Sequence, residues 1–294
     1  MIKKKKVVFI INPISGSGKK ADIEPLILST FDKDKYEIKI LHTEYKSHAA
    51  ELSKNAVDDK TDIIVAVGGD GTINEVASQM INSTSIIGII PGGSGNGLAR
   101  HLGIPFNRSK ALNLIKSEKN IKIDTATIND KPFVSIAGVG FDALVAKHFA
   151  ASNQRGFLSY FRLVASKYPR YKPKKYTIII DKNTNIKTRA LFLSFANSNQ
   201  FGYNTAIAPN AKLNDGKLDL CIVKKPVLIE IPLIANLLLL KKIHLSPHVN
   251  IIPVKDIIVK QTKNRVCNID GEAIKLGKVL DIKIKALSLN IIIP

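Results

Sequence analysis

Hydrophobic runs alternate with amphipathic stretches of helical length over residues 1–122. Four β-branched runs predict strands, at 7–11, 37–41, 63–67 and 86–90. Three longer stretches between them predict helices, at 19–31, 48–57 and 72–81. Alternating strands and helices are typical of a parallel sheet with helices on both faces. We therefore expect an N-terminal doubly wound α/β domain that binds its ligand at the carboxyl ends of the strands.

The pattern changes in residues 123–294, where closely spaced strands are separated by turns. Strand-like runs lie at 121–128, 133–136, 176–180, 189–196, 218–223, 254–260, 265–269 and 279–284. Helical stretches lie at 142–152, 158–167 and 227–242. This pattern favours a C-terminal antiparallel β-sandwich, so the predicted fold class is α/β plus β. The last hydrophobic run, 287–293, either completes this domain or returns to the first.

Three glycine-rich turns follow the first, third and fourth predicted strands, at 12–19, 68–71 and 91–97. Glycine lets backbone N–H groups approach a phosphate closely, and the N-terminus of a following helix favours negative charge. Because the carboxyl ends of parallel strands share one sheet edge, these turns predict a phosphate-binding site there.

The middle turn contains a carboxylate, Asp70, flanked by glycines. A carboxylate beside a phosphate site is expected to face Mg²⁺ or a bound water, and the alternative is an ordinary helix-capping Asp in a tight turn. Thr72 and Glu75 have capping-box spacing, which predicts a helix start at this point.

Composition indicates the compartment and the partners. There are 44 Lys and Arg against 24 Asp and Glu, and the formal net charge of +20 attracts nucleic acid, anionic membranes or phosphate-bearing ligands. The alternative is a solvated Lys-rich surface with no particular partner. The two cysteines lack metal-ligand spacing, which fits a reducing cytoplasm. No run reaches the roughly 18 apolar residues of a membrane span. We expect a cytoplasmic protein, peripheral to the inner face of the membrane, with 227–240 either lying at the interface or packing on the β domain.

Six motifs in order resemble the diacylglycerol kinase catalytic-domain family, which includes bacterial lipid kinases and sphingosine kinases. They are Asn-Pro-x-Ser-Gly at 12–16, Gly-Gly-Asp-Gly-Thr-x-Asn-Glu at 68–75, Pro-Gly-Gly-Ser-Gly-Asn at 91–96, Gly-x-Gly-Phe-Asp at 138–142, Lys-Leu-Asn-Asp-Gly at 212–216 and Asp-Gly-Glu at 270–272. The resemblance covers nearly the whole chain. It departs at Gly97, where bacterial members usually carry an acidic residue, so the acceptor, a diacylglycerol-like or a sphingoid lipid, stays open.

The resemblance implies an ATP-dependent, Mg²⁺-dependent lipid kinase. The positions it assigns to the nucleotide are Asn12, Ser15, Gly16, Thr43, Gly68, Gly69, Asp70, Gly71, Thr72, Glu75 and Ser94. It also implies a structural Mg²⁺ on the turn 212–217, held by the Asp215 side chain and the backbone carbonyls of Lys212 and Lys217. The alternative for this turn is a plain Asp-Gly hairpin.

A lipid hydroxyl needs a positioned carboxylate to accept its proton, and the resemblance implies that this general base lies in the segment 270–272. In a strand, Asp270 and Glu272 would share one face. We favour Glu272 as the base with Asp270 in support, and Asp70 is the alternative. From its position alone Asp124 is a plain strand-end residue, and the resemblance implies that it is an active-site carboxylate. Asp142 either binds the lipid headgroup or caps a helix.

Two other functions are open at this stage. NAD kinases share the Gly-Gly-Asp-Gly-Thr turn, but their Asn-Glu pair lies well downstream, whereas Asn74 and Glu75 follow directly here. A non-catalytic basic module that binds membrane or nucleic acid is disfavoured by the carboxylates at 270–272. The expected partner is a lipid substrate at the membrane surface. No nucleic-acid partner is expected, and a homodimer is compatible with the sequence.

Overall fold

The computed structural model describes residues 4–15, 23–93, 95–152, 156–202 and 205–294. The chain divides into two compact units, Met1–Ile123 with Leu287–Pro294, and Asp124–Ala286. It passes from the first unit to the second within strand β5 (Asn120–Ile128) and returns within strand β18 (Val279–Ile292). The predicted runs 279–284 and 287–293 are therefore parts of one continuous strand.

The first unit contains a parallel sheet with helices on both faces. Its other elements are β1 (Lys5–Ile11), α1 (Ile23–Thr30), β2 (Tyr36–His42), α2 (His48–Asp58), β3 (Ile63–Gly68), α3 (Asp70–Met80), β4 (Ile86–Pro91), α4 (Gly97–His101) and α5 (Arg108–Ser117). The strand order is β2-β1-β3-β4, and the end of β18 pairs in parallel with β4. The predicted doubly wound sheet is confirmed.

Burial on both sides of the sheet explains why its central strands read as continuous hydrophobic runs. Every residue of β3 is buried. Helices α1 and α5 close one face through a core cluster that includes Phe9 and Val65. On the other face α2 and α3 pack together, and the Ser53 hydroxyl donates to the Val76 carbonyl at 3.0 Å. Helix α5 was not predicted.

The second unit is a β-sandwich. Its elements are β6 (Lys131–Phe133), β7 (Ile136–Gly140), α6 (Phe141–Ala150), α7 (Phe157–Lys167), β8 (Lys174–Ile180), β9 (Thr184–Ala190), β10 (Phe192–Ala196), β11 (Gln200–Gly202), β12 (Thr205–Ala206), β13 (Leu218–Val223), α8 (Ile231–Leu239), β14 (Val249–Val254), β15 (Asp256–Gln261), β16 (Arg265–Ile269) and β17 (Glu272–Leu276). Short 3₁₀ turns lie at Leu228–Glu230 and Ile243–Leu245.

Two antiparallel layers form this sandwich. One is the six-stranded sheet β14-β13-β10-β7-β16-β17, and the other contains β15, β8 and β9. Inward-facing residues such as Phe195 and Leu220 of the first layer share one core with Ile178 and Val259 of the second. The opposite face of the six-stranded sheet is covered by α6, α7 and α8 through a separate cluster. The predicted antiparallel sandwich is confirmed.

The predicted helix 227–242 is shorter in the structure. A 3₁₀ turn comes first, and α8 then begins at Ile231 with Pro232 in its first turn, where the missing N–H of proline costs no hydrogen bond. Within the described residues, no helix is long and apolar enough to cross a membrane.

Candidate active site

The three glycine-rich turns leave the same edge of the parallel sheet. Ile11 pairs with Val67 across β1 and β3, and Gly68 pairs with Pro91 across β3 and β4, so the three strands end almost level. The chain order reverses between β1 and β3, which is where sheets of this kind bind ligands.

Backbone contact between the second and third turns requires glycine. The Gly92 amide donates to the Gly68 carbonyl at 2.7 Å. A Cβ added to Gly93 would lie 2.5 Å from the Gly69 Cα, a distance at which no side chain fits. The first turn is close as well, because a Cβ on Gly92 would lie 3.6 Å from the Ser15 hydroxyl.

Asn12 connects the first turn to helix α3. Its side-chain oxygen accepts from the Ile14 amide at 3.0 Å, and its side-chain nitrogen donates to the Thr72 hydroxyl at 2.9 Å. The Ser15 hydroxyl donates to the Asn12 carbonyl at 3.1 Å. Two of the predicted nucleotide positions, Gly16 and Ser94, lie outside the described residues.

The end of β2 is tied to the same place. The Thr43 amide donates to the Ile11 carbonyl at 2.9 Å, and the Glu75 carboxylate accepts from the Ser47 amide at 3.1 Å. The predicted capping box is therefore wrong. Helix α3 begins two residues before Thr72 with Gly69 as its N-cap, and no side chain caps it.

Asp70, the first residue of α3, points at the third turn. Its carboxylate accepts hydrogen bonds from the backbone amides of Asn96 at 2.8 Å and Gly97 at 2.7 Å. Burial raises the pKa of Asp70, and these two amides offset part of that effect. A Cβ on Gly95 would lie 2.6 Å from the carboxylate, so glycine is needed there as well. Asp70 thus joins the second and third turns, a contact the sequence did not predict.

Asn96 closes the third turn from within and was missed by the sequence analysis. It adopts a left-handed conformation with φ of 52°, and its side-chain amide exchanges hydrogen bonds with both the amide and the carbonyl of Gly93. Its position in a Gly-Asn-Gly run was the available signal, since asparagine tolerates this conformation.

In the second unit, Asp270 lies in the hairpin turn between β16 and β17. Its φ of 45° and that of Gly271 at 90° are left-handed, as two-residue hairpin turns require. The carboxylate accepts from the backbone amides of Val134 at 2.7 Å, Ser135 at 3.0 Å and Ile136 at 2.8 Å. Asp270 is therefore held by the chain before β7.

Glu272 is the first residue of β17 and is half-buried opposite Ile269. The expectation that Asp270 and Glu272 share one strand face is wrong, because Asp270 belongs to the turn and not to a strand. The turn points the Asp270 carboxylate at backbone amides and leaves Glu272 at the start of the strand.

Asp124 organises the turn that was predicted to bind Mg²⁺. It is fully buried, its amide donates to the Leu213 carbonyl at 2.6 Å, and its carboxylate accepts from the Gly216 amide at 2.7 Å. The Asn197 side chain donates at 2.8 Å both to the Asp124 carbonyl and to the Val134 carbonyl. Asn197 carries no motif, so the sequence offered no signal for it.

The turn 212–217 presents an exposed carboxylate, Asp215, which accepts from the Lys217 amide at 3.0 Å. Burial and the neighbouring Asp215 raise the pKa of Asp219 to about 6. Two carboxylates that repel each other suit a hard cation. Across the described ranges, no group of three or more His, Cys, Asp or Glu side chains could hold a metal ion.

Asp142 is the second residue of α6 and is buried. Burial raises the pKa of Asp142 to about 7, and nearby backbone amides and the Asn268 side chain offset only part of this. Among the described residues, neither of its carboxylate oxygens lies in a hydrogen bond of ordinary geometry. Strand register places Ser194 and Asn268 on either side of Gly138, which the carboxylate contacts, and the buried Ser194 hydroxyl is also unpaired in this part of the chain.

Comparison with known families accounts for both units. Residues 6–128 match the diacylglycerol kinase catalytic domain, and residues 135–291 match the YegS C-terminal NAD kinase beta sandwich-like domain. The chain belongs to the diacylglycerol kinase catalytic-domain family. Relatives of this kinase family include diacylglycerol kinases of Bacillus subtilis (strain 168), 29% identical over 91% of this chain and 90% of the relative, and of Staphylococcus epidermidis (RP62A), 28% identical over 92% and 86%.

Solved structures show the same fold. A diacylglycerol kinase from Bacillus anthracis str. Sterne aligns with a TM-score of 0.76 at 22% identity, covering 100% of this kinase-family chain and 98% of the other. A second Bacillus anthracis structure, of a candidate diacylglycerol kinase, aligns with a TM-score of 0.81 at 24% identity over 100% and 99%.

Proposed function

We propose that this protein is an ATP-dependent lipid kinase that phosphorylates the hydroxyl group of a diacylglycerol-like or sphingoid lipid. The observation that carries the proposal is that the described parts of the three glycine-rich turns, 12–15, 68–71 and 91–93 with 95–97, lie at one sheet edge, with the Gly93 backbone packed directly on Gly69. The relatives are diacylglycerol kinases, which supports a lipid as the acceptor.

The first unit holds the nucleotide in this proposal. Phosphoryl transfer depends on positioning the phosphates and on stabilising the charge that spreads over their oxygens. The N-terminus of α3 directs its free N–H groups at that edge, and Gly71 has open space around it. Asn12, Ser15 and Thr72 surround the same point with side chains able to hydrogen-bond phosphate or ribose oxygens.

Mg²⁺ bound with ATP would neutralise phosphate charge in the transfer step. Asp70 is a carboxylate within the second of these turns. Its oxygens accept from the amides of Asn96 and Gly97 and can each accept a further interaction. We also assign a separate Mg²⁺ to the turn 212–217, where Asp215 would supply a side-chain oxygen and Lys212 and Lys217 their carbonyls; the exposure of Asp215 and its repulsion with Asp219 support this assignment.

Glu272 is the proposed general base. The Asp270 carboxylate already accepts from three backbone amides, which suits a residue that positions the hairpin and disfavours one that takes a proton. Asp70, the alternative base, accepts from two amides. The Glu272 carboxylate would accept the proton of the lipid hydroxyl as its oxygen attacks the γ-phosphorus. The bond between the γ-phosphorus and the oxygen that bridges it to the β-phosphorus would break, and ADP would leave with that oxygen.

The lipid headgroup is assigned to the second unit. Asp142 and Ser194 carry buried polar atoms whose pairing would suit a hydroxyl or amine of the substrate. Asp124 acts indirectly, by holding the turn 212–217 in place through Gly216.

One observation favours a second candidate. Residues 135–291 match an NAD kinase beta sandwich-like domain. Since NAD is a soluble molecule, a soluble substrate is the alternative acceptor. A non-catalytic basic module is the third reading, and it rests only on the net charge of +20.

An assay with γ-labelled ATP distinguishes the three functions. Purified protein is incubated with Mg²⁺ and, separately, with short-chain diacylglycerol, with sphingosine and with NAD. Label transferred to either lipid and absent from NAD supports the proposal and identifies the acceptor. Label in NAD alone overturns the proposal. The absence of both ATP hydrolysis and label transfer in all three reactions also overturns it.

A further inference from the structure

The segment 227–245 carries an unusual concentration of exposed apolar side chains. Fifteen large hydrophobic side chains are exposed in the described part of the chain, and seven of them fall in this segment: Val227, Leu228, Ile229, Leu233, Leu239, Leu240 and Leu245. Their exposed fractions run from 51% for Leu239 to 88% for Ile229. Single exposed apolar side chains are normal on a protein surface, but a contiguous group of them marks an interaction surface.

Helix α8 has two apolar stripes with different environments. Ile231 and Leu238, seven residues apart, pack against the cluster that covers the six-stranded sheet. The opposite stripe is exposed and consists of Pro232, Leu233, Asn236, Leu239 and the following Leu240. A helix on a solvated surface carries polar residues on its outer face. The sequence predicts that this segment either lies at a membrane interface or packs on the β domain. The inner face of the helix packs on the β domain, and that packing does not explain the apolar outer face.

The neighbourhood of the outer face is positively charged. Four lysines lie in 224–250, and Lys224, Lys241 and Lys242 are exposed. The one acidic residue in that range, Glu230, accepts from the Val227 amide at 2.9 Å and pairs with His248 at 3.0 Å. Leucines flanked by lysines match the layered chemistry of an anionic bilayer, with acyl chains beneath negative headgroups.

The segment is held firmly in this position. The Tyr168 hydroxyl donates to the Pro226 carbonyl at 2.6 Å just before the segment, and within the segment the Lys242 amide donates to the Leu237 carbonyl at 2.7 Å and closes the end of α8. Ile243 is buried. The apolar face is therefore presented in an ordered conformation, which lowers the entropy cost of docking.

We infer that the segment 227–245 docks on an anionic membrane surface, with the stripe Leu233, Leu239 and Leu240 entering the headgroup–acyl boundary and the lysines meeting the headgroups. The biological purpose rests on the proposed function, since a lipid kinase must reach a substrate that stays in the bilayer. The docking itself follows from exposure and charge. A second copy of the chain is the competing occupant of this face.

Vesicle co-sedimentation of the full chain tests the inference. Wild-type protein should bind vesicles of phosphatidylcholine with phosphatidylglycerol and bind pure phosphatidylcholine poorly. Leu239→Glu should weaken binding about tenfold or more at low and at physiological salt. Leu28→Glu, on helix α1, is the matched control, because Leu28 has the same exposed fraction of 51%, and it should bind as wild type does. The double substitution Lys241→Gln with Lys242→Gln should remove mainly the electrostatic contribution to vesicle binding, so its loss relative to wild type should be larger at low salt than at physiological salt.

Five results separate the outcomes. Equal vesicle binding by wild type and Leu239→Glu overturns the inference. The inference is also overturned if vesicles bind neither protein and sedimentation velocity shows a wild-type dimer that Leu239→Glu dissociates. An unchanged melting temperature for Leu239→Glu excludes misfolding. Phosphorylation of dispersed short-chain diacylglycerol by Leu239→Glu at the wild-type rate, with vesicle binding lost, supports the inference. Vesicle binding by a wild-type protein that phosphorylates no lipid would overturn the proposed function and leave the docking intact.

Discussion

Asp70 Oδ1 lies 2.7 Å from the backbone nitrogen of Gly97, and Oδ2 lies 2.8 Å from that of Asn96. One carboxylate at the start of α3 therefore holds the start of α4, which belongs to a different glycine-rich turn. The charge in the middle turn supports the shape of the site as well as its chemistry.

Replacing the Asp70 carboxylate should impair both the structure of the third turn and phosphoryl transfer. In Asp70→Asn an NH₂ group replaces one acceptor, so one backbone amide of the third turn loses its partner, at a cost of about 1–3 kcal/mol. We expect turnover to fall by roughly a hundredfold or more and ATP to bind more weakly. Initial rates and ATP titration measure the two effects. The control is Asp62→Asn, because exposed Asp62 also accepts a backbone amide, from Lys6, at 2.8 Å. Wild-type turnover in Asp70→Asn would contradict the assignment.

Two glycine substitutions should separate stability from nucleotide binding. A methyl group on Gly93 would meet the Gly69 backbone, so Gly93→Ala should lower the melting temperature by about 5 °C and abolish ATP binding. Gly71 has no atom within 4 Å of the added position, so Gly71→Ala should fold normally. If phosphate occupies that space, Gly71→Ala should still bind ATP at least tenfold more weakly, roughly the loss of one or two hydrogen bonds. Unchanged ATP affinity would place the phosphates elsewhere.

Glu272→Gln tests the general base. The substitution keeps size and removes the proton acceptor, so turnover should fall by about a hundredfold or more while ATP affinity stays at the wild-type value. Single-turnover rates with short-chain lipid and an independent ATP titration give the two quantities. A loss of ATP binding with unchanged turnover per bound ATP would assign Glu272 to nucleotide binding instead.

The turn 212–217 should respond to Mg²⁺ in the absence of substrate. A ligand that binds only the folded protein raises its stability by mass action, so Mg²⁺ should raise the melting temperature of the wild type. Asp215→Asn should remove that rise, and Asp130→Asn, an exposed carboxylate of the same unit, should keep it. An equal response in all three proteins would show that the stabilising Mg²⁺ binds elsewhere.

Asp142 should make stability fall as pH rises. Its pKa is about 7 in the folded protein against an ordinary value of 3.8, so between these values the folded chain keeps a proton that the unfolded chain releases. The cost of ionising Asp142 reaches at most about 4 kcal/mol above pH 7. Asp142→Asn should therefore melt progressively higher than wild type from pH 4 to pH 8. The exposed Asp58→Asn is the control, and a constant difference between Asp142→Asn and wild type would contradict the burial argument.

Much of the fold followed from local pattern. The strands that became β1, β3 and β4 were predicted because buried parallel strands read as unbroken apolar runs, and the glycine-rich turns were visible because phosphate-binding turns need glycine at consecutive positions. Helix α5 was missed, since its Arg-Ser-Lys start and three buried residues give only a weak apolar period.

The partners of the polar side chains were settled by tertiary structure. The spacing of Thr72 and Glu75 predicted that they would cap their own helix, yet Thr72 accepts from Asn12 and Glu75 from Ser47. Asp270 was expected on a strand and instead holds the amides at 134–136. By itself the sequence determined the order of the parallel strands and the glycine-rich turns of the first unit, because these depend on neighbouring residues. Only the tertiary structure decided what Asp70 and Asp270 face, because their oxygens accept from backbone amides 26 to 136 positions away in the chain.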